Sequence, residues 1–147
     1  MRTVVQVKRF ETPEKTRQII VNEVRRDFED WLSAKEDLIW RPPIQLSERG
    51  NEFELTTAVA GVDPKTFEIL VAPEMMLIKA ELRAGSQSES EIIHRREFEY
   101  RKLSRSILFP RPVDPENVRA EIKDGLLTVK ARIARSARVI DFMPVAA

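Results

Sequence analysis

Hydrophobic residues follow two regimes along this chain, and the change of period divides it. Near the start, Thr3-Val4-Val5-Gln6-Val7-Lys8 alternates over a run too short to separate a strand from an unstructured arm. Thr12-Pro13 has the form of a helix start, with a hydroxyl cap and then a proline at the first helical position. From Arg17 the spacing turns helical. Ile20, Val24, Phe28, Trp31 and Leu32 recur on one apolar stripe, with Arg25, Arg26, Glu29 and Asp30 largely off it. The helix is expected to end before Arg41-Pro42-Pro43, because proline disfavours helical backbone in the residue before it. The two prolines read as a linker.

After Pro43 the period is two. Phe53, Leu55, Thr57 and Val59 share one face of a strand, with Glu52, Glu54 and Thr56 on the other. Phe67, Ile69 and Val71 alternate next, then Met76, Ile78, Ala80 and Leu82 against Lys79 and Glu81. Ile107, Leu108 and Phe109 close a strand at Pro110. Val118, Ala120 and Ile122 alternate, and so do Leu127, Val129, Ala131 and Ile133. Between these last two runs lies Asp124-Gly125, a hairpin signal, because the tight turn needs positive φ that glycine supplies. Six or seven short strands separated by turn residues predict an all-β, immunoglobulin-like β-sandwich. The polar stretch Ala84 to Glu91, followed by an extended piece from Ile92 to Tyr100, is a long excursion of the kind that carries function or stays unstructured. The expected organisation is an N-terminal arm with an amphipathic helix over 1–42, the sandwich over 43–133 and a short C-terminal tail over 134–147.

Composition narrows the chemistry. The chain has 147 residues, a third of them charged, with a net charge of +1. It lacks the basic excess that nucleic-acid binding leaves, so no nucleic-acid partner is expected. There is no cysteine, which removes disulfides, thiol nucleophiles and Cys-based zinc sites. His94 is the only histidine, so no His-His metal pair can form; it reads as a surface-loop residue or a pH-sensitive interface contact. No Gly-x-Ser-x-Gly elbow and no glycine-rich phosphate loop occur. Ser104 and Ser106 read as solvent-facing strand residues. The expectation is a non-enzyme with no cofactor and no metal. No apolar run approaches the ~18 residues of a membrane span, the first residues do not form a signal peptide, and the mixed charge of the helix suits an anionic membrane poorly. A cytoplasmic location is the default expectation.

Two segments carry a family likeness. Leu103-Ser104-Arg105-Ser106-Ile107-Leu108-Phe109-Pro110 is similar to an aromatic-x-Arg-x-aromatic-x-Leu-Pro strand. Val118 to Val129, with Ala120, Gly125 and Leu127 as its structural motif, is similar to Ala-x-x-x-(Asn/Asp)-Gly-(Val/Leu)-Leu. Both patterns belong to the α-crystallin domain of small heat-shock proteins, which the stretch from Pro43 to Ile133 resembles. The sequence departs from the family at Ala60-Gly61, where Pro-Gly is usual, and at Leu103 and Ile107, where aromatics are usual.

The resemblance implies an ATP-independent holdase that binds unfolding client proteins through apolar surface and suppresses their aggregation. It implies a homodimer, or a larger homo-oligomer, formed by strand exchange through Ile92, Ile93, His94, Arg95, Phe98 and Tyr100. Arg105 is either a dimer-interface arginine paired with acids of the other subunit or an exposed edge arginine. The stripe Ile20, Val24, Phe28, Trp31 and Leu32 is expected to serve client contact or assembly. Trp31 and Trp40 are either client anchors or packing residues. Ile140 and Phe142, in Ile140-Asp141-Phe142, are expected to plug a sandwich-edge groove as an imperfect tail anchor. The competing expectation is a non-enzymatic adaptor or co-chaperone module with one stable partner.

Overall fold

The computed structural model describes residues 2–8, 10, 12–32, 39–82, 89–95 and 102–135, with backbone alone at 30–32. The elements are β1 (Arg2–Val5), β2 (Val7–Lys8), helix α1 (Pro13–Leu32), β3 (Ile39–Trp40), β4 (Ile44–Arg49), β5 (Glu52–Ala58), β6 (Glu68–Val71), β7 (Met75–Glu81), β8 (Lys102–Leu108), β9 (Val113–Lys123) and β10 (Leu126–Ile133). Two five-stranded sheets face each other. The first has the order β1-β9-β10-β5-β4 and the second β2-β6-β7-β8-β3.

Alternation explains the main core. Phe53, Leu55, Leu127, Val129 and Ala131 point in from the first sheet, and Ile69, Val71, Met76, Ile78, Leu103 and Ile107 from the second; all are buried. Phe53 stacks on Phe109 across the interior, with ring centroids 5.9 Å apart. The β9–β10 hairpin turns at Asp124 (φ 54) and Gly125 (φ 77), the paired positive dihedrals of a type I′ turn. Ala120 and Leu127, on either side of that turn, are buried in the core.

The short N-terminal run, ambiguous in sequence, is a strap across both sheets. β1 pairs antiparallel with β9. After Gln6 alone, β2 pairs parallel with β6. Val5 and Val7 turn toward the core while Val4 faces solvent. Arg2–Glu121 at 3.2 Å and Lys8–Glu68 at 2.9 Å tie down the two ends. β3 pairs parallel with β8, so part of the stretch read as an arm also joins a sheet. The Pro42-Pro43 linker lies against the sandwich. Pro42 is buried, and Pro43 accepts a hydrogen bond from Thr57 Oγ1 at 2.8 Å.

The second sheet is covered on both sides. Leu70 and Leu77, directly opposite each other in register, point away from the main core yet are buried. Helix α1 lies over them, and Ile20, Leu70, Ala72 and Leu77 form a second small core with Ile19, Val24 and Met75 at its margin. The helix starts as expected: Thr12 Oγ1 accepts the Lys15 N–H at 3.1 Å. Among the described residues no helix is long and apolar enough to cross a membrane.

Candidate functional site

The surface between α1 and the second sheet is the most developed polar and apolar arrangement outside the main core. Its centre is Ile20, 1% exposed. Three polar contacts border it along successive turns of the helix. Arg17 meets Glu74 through two bonds, Nε to Oε2 at 2.9 Å and Nη2 to Oε1 at 2.6 Å. Lys79 Nζ donates to Glu23 Oε2 at 2.6 Å. Ser104 Oγ donates to Asp27 Oδ2 at 2.6 Å. The Lys79 ammonium bonded to Glu23, with the charges of Arg26 and Lys102 nearby, holds the Glu23 carboxyl below the usual carboxylate range despite partial burial. The Arg17 guanidinium does the same to Glu74, and Glu74 in turn raises Arg17.

These contacts place the stripe residues. Ile20, expected at a client or assembly surface, is instead taken up by the chain's own packing in this conformation, because Leu70 and Leu77 leave an apolar strip for it to cover. Val24 is half-buried beside it and Phe28 is exposed. Trp31 and Leu32 lie on the helix backbone, with side chains outside the described set. Trp40 packs against the main core from β3. Ser104, expected to face solvent, is buried under α1, because Asp27 reaches it there; Ser106 is exposed as expected. Nothing local in the sequence marks the Asp27–Ser104 and Glu23–Lys79 pairs, whose members lie 77 and 56 residues apart.

The expected dimer residues are only partly within the described set. Ile92, Ile93, His94 and Arg95 are exposed and belong to no strand of this single chain. Phe98 and Tyr100 lie outside the described residues, as do Ile140 and Phe142. Arg105 sits opposite Ile78 in register, half-buried, with Nη1 3.5 Å from the Pro42 carbonyl. Among the described residues it makes no ion pair. Beside it a shallow cleft of about 220 Å³ is lined by Val24, Asp27, Arg41, Ser104 and Ser106. Among the described residues no group of three potential metal ligands occurs.

Known proteins resemble this chain in sequence and in fold. Small heat shock protein C4 of Rickettsia felis is 28% identical over 92 residues, covering 63% of this chain and 56% of that protein. The chain spans about half the length of the first curated relatives it matches, 56% and 52%. The solved structure of hspA from Xanthomonas axonopodis superposes with a TM-score of 0.57 at 26% identity, over 67% of this chain and 97% of that one. A small heat-shock protein from Xylella fastidiosa superposes with a TM-score of 0.55, also at 26% identity, over 64% of this chain and 86% of that one. The sandwich, its Asp124-Gly125 hairpin and these likenesses agree with a family match over residues 45–140, more than half of the sequence: the chain belongs to the Hsp20/alpha crystallin family.

Proposed function

We propose that this protein is an ATP-independent holdase chaperone, which binds unfolding proteins through apolar surface and keeps them from aggregating. The observation that carries the reading is the family match over residues 45–140, a family of non-enzymatic chaperones. The physics requires apolar area that can be offered and withdrawn, since burial is worth roughly 25 cal/mol per Å² and permanently exposed patches are adhesive. Two features suit that need: the exposed pair Ile92 and Ile93, and an apolar strip sheltered under α1. Charged residues, a third of the chain, would keep a loaded complex in solution.

Self-association belongs to the same reading. The Xylella fastidiosa relative is described as having a distinct high order structure. Here the segment from Ile92 to Tyr100 would add a strand to a second copy, with Arg105 near the junction, and Ile140 and Phe142 would anchor between copies. The domain division at residues 42 and 133 and cytoplasmic residence are parts of this proposal. The test is heat aggregation of several unrelated heat-labile enzymes, with equimolar chain and no ATP, followed by light scattering. Suppression is expected. Failure with all of them would sink the reading in favour of an adaptor with one stable partner.

A further inference from the structure

Among the described residues, helix α1 meets the sandwich through a small apolar cluster and three bordering polar pairs. Of its side chains within the described set, two are fully buried, Thr16 and Ile20. The Thr16 hydroxyl donates within the helix start, to the Thr12 carbonyl at 3.2 Å. Among the described residues Ile20 is therefore the one fully buried apolar side chain of the helix, with Ile19 and Val24 partly buried beside it. The bordering pairs are part-exposed, with side chains 34% and 45% accessible for Arg17 and Glu74 and 26% and 24% for Lys79 and Glu23. Ion pairs so open to water and salt add little. The strands beneath need no cover for their backbones, because β6, β7 and β8 bond to one another. If the helix left, the side chains of Leu70, Ala72, Leu77 and Ser104 would meet water, and Met75 would be further exposed.

The face is also specific in what it accepts. It receives aliphatic side chains four residues apart (Ile20 and, less deeply, Val24) along its apolar strip. Glu74 receives a base one turn earlier, Lys79 an acid one turn later, and Ser104 an acceptor one turn beyond that. We propose that this face, the outer surface of β6, β7 and β8, is a binding surface for amphipathic helical segments that partly unfolded proteins expose, and that α1 is its displaceable built-in occupant. The inference rests on the holdase reading and gives it a location: the client takes the place of α1, matching its stripe and its flanking charges.

Because the chain has no cysteine, the cover can be locked cleanly. Asp27 and Ser104 have short side chains that meet in a 2.6 Å hydrogen bond, which makes them the pair to replace by cysteines, with disulfide formation verified by mass before use. The experiment uses full-length D27C/S104C, oxidised and reduced. Its probe is a fluorescent peptide with the sequence of residues 13–32, alongside a heat-labile reporter enzyme. The oxidised form is expected to bind the peptide at least about tenfold more weakly than the reduced form and to lose suppression, both regained on adding reductant. In Asp27→Ala, which loosens the cover without touching the apolar strip, peptide affinity is expected to rise about threefold. Equal binding and equal suppression by locked and open chains would overturn the surface while leaving the holdase reading intact. So would no gain in Asp27→Ala. Lock-dependent peptide binding without suppression of any client would uphold the surface and overturn the holdase reading. A dimer that forms only when reduced would identify the occupant as the helix of a second copy and overturn the client assignment.

Discussion

Three polar pairs border the helix–sheet contact around Ile20. Glu23, Asp27, Glu74, Lys79 and Ser104 carry no local pattern, since each acquires its role from a partner far along the chain. Their chemistry is nonetheless testable. Glu23 and Glu74 are held below the usual carboxylate range in the folded chain. Their contribution is complete above the unfolded carboxyl pKa of about 4.3 and is lost as pH falls through the depressed folded values. Amide protection over residues 13–29, taken relative to the intrinsic exchange rate at each pH, is therefore expected to fall in that acid window. In Glu23→Gln the added acid sensitivity should shrink; an unchanged acid response would show that the pair does not hold the helix. Gly125, by contrast, was legible, because Asp-Gly between alternating runs names its own turn. At φ 77, and with an added Cβ 3.4 Å from the Ala60 Cβ, Gly125→Ala is expected to cost about 1–2 kcal/mol, read as a lower urea midpoint.

Elements were readable where one face of a strand meets water. β5 and β10 alternate cleanly between buried and accessible positions, and their inward residues were named correctly from period alone. β6 and β7 mislead that method. Ile69-Leu70-Val71 and Met76-Leu77-Ile78 are continuous apolar runs, buried on both faces, and the alternation reading captured only the inner set. Continuous runs of this kind are the signal that a second layer exists, and α1 is that layer. The strap of β1 and β2 was undecidable because a few residues become a strand only when β9 and β6 accept them. At this scale Ile20→Ala is the sharp variant. Truncating a buried isoleucine costs about 2–5 kcal/mol in a core, and here the loss should fall on one element. Hydrogen exchange is expected to rise across residues 13–29 while β5, β9 and β10 keep their protection. Loss of protection in both together would show that the helix is integral to the sandwich.

For the whole molecule, the sandwich and the family were legible because the Val118–Val129 hairpin combines alternation, turn chemistry and a family motif in one short stretch. The polar stretch from Ala84 to Glu91 is followed by Ile92 and Ile93, which this single chain leaves exposed. An exposed apolar pair beyond the sheets suits pairing with a second copy. For the proposed dimer, a chain without residues 84–100 is expected to give only monomers by light scattering; a dimer as abundant as that of the full chain would refute strand exchange through this segment.

A heat-labile enzyme should be warmed with an equimolar amount of the chain, without nucleotide, and the cleared solution passed over a sizing column with mass detection. The enzyme is expected to elute in soluble complexes larger than the free chain and containing it. Enzyme lost to the pellet, with the chain eluting at its original mass, would rule out a holdase.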